Sequence, residues 1–243
     1  MIKYFQLGLV EYQKACDLQN QLQELRIEGE IGDVLLFLEH PPILTFGKQK
    51  DLQNLIFPKE KLIRNGITLH PTDRGGSITW HGPGQLVVYP ILDLNQRNRD
   101  VHQYVFNLQE VIIRTLKDFS IKAGRDQKHV GVWVGQDKIA AIGLNVKGGV
   151  TKHGFALNVN NTLDHFSFIH PCGIIDRGVT SMSKLLNKNL SLEDIMKTVV
   201  THFSDVFGLP VERGYDILHH VLPGSKNVNG FYLDNKAKGR AAI

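Results

Sequence analysis

The chain has 243 residues, 42% of them hydrophobic and 21% charged, an ordinary globular composition at a length that can bury a full core as one domain. No run of eighteen apolar residues occurs, and the opening "MIKYFQLGLVEYQKA" meets Glu11 and Lys14 soon after a short apolar stretch, so neither a membrane span nor a cleavable signal is expected, and a cytoplasmic setting is. Cys16 and Cys172 are the only cysteines and make no disulfide framework, so both thiols are expected to be free; the formal net charge of +4 suits an acidic partner as well as it suits plain solubility.

Taken in order, "KYFQLGLV" reads as a strand, and "EYQKACDLQNQLQELRIEG" as an amphipathic helix with Ala15, Leu18, Leu22 and Leu25 on one stripe. Cys16 lies beside that stripe and reads as a small buried hydrophobe. "DVLLFLEH" and "PILTFG" read as strands joined at Pro41 and Pro42, and "PKEKLIRNG" as a short helix between Pro58 and Gly66. Strand-like "GITLHPTD", "GSITWHG" and "GQLVVYPILDL" follow at short spacing. A long helix then carries Val105, Leu108, Val111, Ile112 and Leu116 on one side. "HVGVWVG", "KIAAIGLNVKGGV" and "TKHGFALNV" are strands again, the last two hinged at Gly148 and Gly149. Ser191 and Asp194 open a final helix in capping-box fashion, and Gly208 closes it. Clustered strands with a few long helices, without strict alternation, predict an α+β fold with a mixed or antiparallel sheet. The expected organisation is a single domain over 1–222 and a loosely held polar tail over 223–243.

Chemistry concentrates in three places. "DRGGSITWHGPGQLVVYP" interrupts an apolar strand pair with Gly75, Gly76, Gly82, Pro83 and Gly84, the mark of a bulged hairpin or of a ligand approaching the backbone. Arg74, Thr79, Trp80 and His81 around those glycines favour the ligand. The stretch matches no phosphate-binding loop, since neither a Gly-Lys-Ser or Gly-Lys-Thr triplet nor a helix-opening G-x-G-x-x-G is present. "DKIAAIG" sets Lys138 at the head of an apolar run, where it either guards an exposed strand edge or points into a cleft. Beside a thiol, its charge would favour the reactive thiolate. "IHPCGI" holds Cys172 between a proline and a glycine, open to reading as nucleophile, metal ligand or small apolar residue. His170 and Cys172 without a C-x-x-C or H-x-x-x-H companion make a weak zinc signal, and His153 in "KHGFALNV" reads as structural before catalytic.

Four blocks in order, "RGGSITWHGPGQ" (74–85), "KIAAIG" (138–143), "HGFALNV" (153–159) and "PCGI" followed by "VTSM" (171–182), together resemble the lipoyl(octanoyl) transferases. These lipoate-biosynthesis enzymes carry an octanoyl group from acyl carrier protein to lipoyl domains. The resemblance covers about residues 70 to 185 and says nothing of the amino-terminal third or the tail. It implies an acyl-thioester nucleophile at Cys172, and a Lys138 that lowers the thiol pKa and relays protons. It implies an acyl and substrate pocket walled by Arg74, Gly75, Gly76, Ser77, Ile78, Thr79, Trp80 and His81, by Ala141, Ile142 and Gly143, and by Gly154, Phe155 and Ala156. It further implies a mixed, largely antiparallel sheet with flanking helices, as in the catalytic domain of lipoate and biotin protein ligases, and no metal or other cofactor. The implied donor is octanoyl-acyl carrier protein. The implied acceptors are lipoyl domains of 2-oxoacid dehydrogenase complexes and the glycine cleavage H protein, with neither nucleic acid nor membrane as partner. An ATP-dependent lipoate or biotin ligase, or a non-catalytic lipoyl-domain binding module, would be the alternative on the same fold.

Overall fold

The structure is a computed structural model that describes residues 1–49, 54–64, 66–170 and 177–214, without the side chains of residues 59 and 60. The expected tail over 223–243 and Cys172 itself lie outside the described residues. The elements are β1 (Ile2–Leu9), α1 (Tyr12–Glu28), β2 (Asp33–Glu39), β3 (Ile43–Phe46), α2 (Lys59–Arg64), β4 (Thr68–Pro71), β5 (Ile78–His81), β6 (Gln85–Ile91), α3 (Val101–Asp118), β7 (Val132–Val134), β8 (Asp137–Lys147), β9 (Val150–Asn158), α4 (Met182–Leu186), α5 (Leu192–Phe207) and β10 (Val211–Arg213).

Seven strands form one sheet in the order β10-β1-β2-β6-β9-β8-β7. Its β1 pairs with β10 and β2 are parallel, and the other four are antiparallel. This is the mixed, largely antiparallel sheet with flanking helices that was expected. The central strands are buried on both faces, which is why β2 and β6 read as continuous apolar runs instead of alternating ones. Alternation survives in what each residue touches. Leu35, Phe37, Leu86, Val88, Phe155 and Leu157 pack with Leu108, Val111 and Ile112 of α3 and Val199 and Phe203 of α5. On the other face Val34, Leu36, Leu38, Val87 and Tyr89 pack with Ala15, Leu18 and Leu22 of α1. On α3, Tyr104 is buried where Val105 was expected, and Val105 is only half-buried at the margin of the stripe. Cys16 is a free thiol and, against expectation, only half-buried.

A second sheet of three strands, in the order β4-β3-β5, covers its own core of Leu44, Phe46, Leu62, Ile78, Trp80 and Phe166. Here the expectation of a strand pair across 74–85 is corrected: β5 pairs with β3, not with β6. Gly82, Pro83 and Gly84 turn the chain so sharply that consecutive strands enter different sheets. No helix among the described residues is long and apolar enough to cross a membrane.

One polar staple ties α1's approach to the large sheet. His40 Nδ1 donates to Val10 O at 2.7 Å, and its Nε2 accepts from the Tyr89 hydroxyl at 2.8 Å, so the ring is satisfied as neutral imidazole. Burial pushes its pKa down to about 4.

Two consequences for stability follow from this packing. Leu108→Ala, at a fully buried position between α3 and the sheet, is expected to cost about 2–5 kcal/mol in urea unfolding, with little change in the slope m. Because unfolded histidine titrates near 6.5, the unfolded chain binds the His40 proton more readily than the folded chain between that pH and about 4. Stability is therefore full above pH 6.5 and falls as pH drops towards 4, by an amount on the order of a few kcal/mol. His40→Gln should flatten that slope in denaturation curves collected across the same pH range.

Candidate active site

The register of β8 against β9 makes a floor. Ala141 opposes Ala156 and Gly143 opposes Gly154, so two pairs of small residues lie at alternate positions of one face. Above them opens a cleft of about 470 Å³, walled by Arg74, Gly75, Gly76, Thr79 and His81 from the small sheet and its leading loop, by Tyr12 from α1, and by Val87, Tyr89 and His153 from the large sheet. The cleft lies where the two sheets meet. A Cβ at Gly143 would stand 3.1 Å from Arg74 Cδ and 3.2 Å from Gly75 O, so the absent side chain is what lets the 74–76 loop sit so low over the floor.

Arg74 fixes that loop. Its Nη2 donates to Thr45 O at 2.7 Å and to Thr45 Oγ1 at 2.9 Å, and Nη1 donates to Gly75 O at 3.1 Å. The run 74–81 does not line the cleft uniformly. Strand alternation turns Thr79 and His81 inward, while Ile78 and Trp80 go into the core under the small sheet and Ser77 is buried accepting from Asn54 at its Oγ. Ile142 and Phe155 border the cleft, but their side chains pack on the α3 and α5 side.

Lys138 lies at the start of β8 and is buried, 6% exposed. The edge-guard reading fails because β7 pairs along β8 and covers its edge. The residue lines a recess of about 300 Å³ with Thr79, Gln85, Ala141, Ala156, Asn158, Phe166 and Val179, and Thr79, Ala141 and Ala156 are shared with the larger cleft. Lysine and small-residue floor thus belong to one continuous depression.

Cys172 lies in 171–176, outside the described residues, but both flanks are anchored. On the amino side His170 N donates to Asn54 O at 2.8 Å. On the carboxyl side Lys138 N donates to Gly178 O at 2.9 Å and Thr180 N to Lys138 O at 3.0 Å, a bridge between Lys138 and Val179. Side chains reinforce it: Gln85 Nε2 donates to Asn158 Oδ1 at 2.9 Å, and Asn158 Nδ2 donates to Thr180 O at 3.0 Å.

The far wall is polar, and the Asp73 carboxylate there is paired with Lys152 Nζ at 2.8 Å. His81 donates its Nδ1 proton to Gln85 Oε1 at 2.8 Å, and burial holds its pKa well below the usual histidine range. His153, at φ +60° and 2.8 Å from Asp73 through Nε2, is also lowered by burial, while that hydrogen bond holds Asp73 far below the carboxylate range. The Cys16 thiol is pushed up to about 11 by burial, so it is poorly ionised at neutral pH. Among the described residues no group of three or more His, Cys, Asp or Glu could hold a metal ion. Tyr12, Tyr89, Gln85 and Trp133 went unnoticed in the sequence, because nothing in a single strand or helix reveals which residues will face it from another element.

Residues 11–204 match the model of the lipoyl protein ligase A/B catalytic domain family. An octanoyltransferase of Caldicellulosiruptor bescii is 49% identical over 219 residues, which are 87% of this chain and 96% of that protein. Among solved structures, a chain from an archaeal lipoylation system, a bi-partite lipoate protein ligase and its E2 lipoyl domain from Thermoplasma acidophilum, superposes with a TM-score of 0.68 at 15% identity over 91% of each chain. The biotin protein ligase of Aquifex aeolicus in complex with biotin and ATP superposes with a TM-score of 0.54 at 12% identity, over 85% of this chain and 70% of that one. The two structures establish the fold alone. With its sequence match over most of both lengths, the chain belongs to the lipoyl protein ligase A/B catalytic domain family and is an acyltransferase of the octanoyltransferase kind.

Proposed function

We propose that this protein transfers an octanoyl group from octanoyl-acyl carrier protein to the lysine amine of lipoyl domains through an acyl-Cys172 thioester. The observation that carries the reading is a buried Lys138 opening onto a floor of Ala141, Gly143, Gly154 and Ala156, in a chain 49% identical to an octanoyltransferase. A cysteine thiolate attacks the carrier's thioester carbonyl, and the carrier thiol departs with a proton. The acceptor lysine amine then attacks the acyl-cysteine carbonyl, the C–S bond breaks, and the amine proton must go to a base. Neutral Lys138 takes that proton, and its charged form supports the thiolate and the departing thiol.

The small-residue floor suits an eight-carbon chain, whose burial is favourable by about 0.8 kcal/mol per methylene. Polar groups at Tyr12, His81 and His153 bound the cleft beyond it. Acceptors of this reading are lipoyl domains of 2-oxoacid dehydrogenase complexes and the glycine cleavage H protein, encountered in the cytoplasm. The net charge of +4 favours approach by acidic carriers.

Intact mass after incubation with octanoyl-acyl carrier protein is expected to show one octanoyl adduct, absent in Cys172→Ala. Labelling that requires ATP and survives Cys172→Ala would overturn the transferase reading in favour of an adenylating ligase. Lys138→Ala is expected to lower the transfer rate by about 10²–10⁴-fold and to slow iodoacetamide alkylation of Cys172 at pH 7. The high pKa of Cys16 keeps its background labelling slow. Unchanged alkylation in Lys138→Ala would remove the lysine from the mechanism.

A further inference from the structure

Trp133 on β7 stands directly opposite Lys138 on β8, so the two side chains share one face of the antiparallel pair. The Lys138 ammonium lies 4.9 Å from the Trp133 ring centroid, and the Arg177 guanidinium carbon lies 5.0 Å from the same centroid. The ring is 4% exposed and firmly held. Its Nε1 donates to His129 O at 3.2 Å, and its backbone exchanges two hydrogen bonds with Gly124 at 2.8 and 2.9 Å.

The two cations on this ring are treated differently. Arg177 is balanced by Asp126, Nη1 to Oδ2 at 2.6 Å, and the other Asp126 oxygen accepts the backbone N–H groups of Lys128 and His129. No ion pair to Lys138 occurs among the described residues. The lysine stem instead lies along Gly131, where a Cβ would come within 3.3 Å of Lys138 Cε and 2.7 Å of Ala140 O. Among the described residues, the titratable and charged groups of this corner are Arg177 and Asp126 across the ring, His129 with its ring centroid 6.1 Å from that of Trp133, and Asp137 beside Lys138 on its own strand, against Gly178. Thr79, Gln85 and Asn158 complete the recess as neutral groups.

A carboxylate in place of the ring would orient the ammonium equally well, but it would cancel the positive field that a neighbouring thiol needs and tighten the lysine's hold on its proton. An aromatic face attracts a cation without carrying a net charge. We propose that Trp133 is a positioning residue for acyl transfer: its ring holds the Lys138 ammonium at the recess without neutralising it, and anchors Arg177, which follows the Cys172 segment, to the same point. The inference rests on the role assigned above to Lys138.

The test compares wild type with Trp133→Phe, Trp133→Leu and site-specific tetrafluorotryptophan at 133, which keeps the ring's shape and removes most of its attraction for cations. One measurement needs no turnover: the rate at which an amine-reactive acetylating reagent labels Lys138 in the intact protein at a fixed pH of about 8, read by peptide mass. Leucine and tetrafluorotryptophan are expected to raise that labelling rate by about three- to ten-fold, with phenylalanine in between. In single-turnover transfer the same two variants should lose about ten-fold in rate while KM stays within about two-fold. Since tetrafluorotryptophan preserves packing, an unchanged labelling rate in that variant overturns the proposal whether or not leucine folds. Full transfer by Lys138→Ala, with the labelling increase still present, would instead overturn the lysine's catalytic role and leave the contact between ring and ammonium standing.

Discussion

The antiparallel register of β8 on β9 is the constraint from which the site follows. Ala141 against Ala156 and Gly143 against Gly154 bring small residues to one face, and the same parity sends Ile142 and Phe155 into the core above α3 and α5. A slip of one residue would exchange the two sets, filling the cleft with bulky side chains and emptying the core behind it. Because the core side buries large apolar groups, the hydrophobic effect that stabilises the fold also keeps the floor clear. Packing and site geometry are here one choice of register.

Around that floor the protein buries neutral polar groups and holds several of its buried charges in ion pairs. His40 and His81 are neutral rings with their protons committed to Val10 O and Gln85 Oε1. Arg26, Asp33, Asp93 and Arg97 form a separate ion-pair group with the two signs matched. Lys138, 6% exposed and without an ion pair among the described residues, keeps its field where little water screens it. The hydrogen-bond chain from His81 through Gln85 and Asn158 to Thr180 then fixes the distance between the two sheets and the segment that follows Cys172.

Much of this was legible in the residues. The runs of β2, β6 and β9 and, apart from Val105, the stripe of α3 reflect local periodicity and emerged where expected, as did the Ser191 cap, whose Oγ accepts from Asp194 N at 3.2 Å. What stayed hidden was pairing. Nothing local in "GSITWHG" says that β5 chooses β3 over its sequence neighbour β6, because that choice is made by Leu44, Phe46 and Trp80 sharing a core. The burial of Lys138 was hidden for the same reason: a lysine heading a strand is an edge guard or a cleft residue depending on whether a strand covers it, and β7 does. The inward turn of Thr79 and His81 against Ile78 and Trp80, by contrast, was there to be read from simple alternation.

The order of strands has a consequence for how the protein comes into being. The cleft draws on α1 near residue 12, the loop at 74–76 and the β8–β9 hairpin, while β1 receives its outer neighbour β10 only at residues 211–213. Such pairings are distant along the chain, so ordering them carries a loop-closure cost and slows folding. During synthesis from the amino terminus, early strands wait for late ones, and the floor cannot form before β9 has left the ribosome. A chain that stops short of β9 has the Arg74 loop and β6 but no Gly154 and Ala156 to complete the floor beneath them.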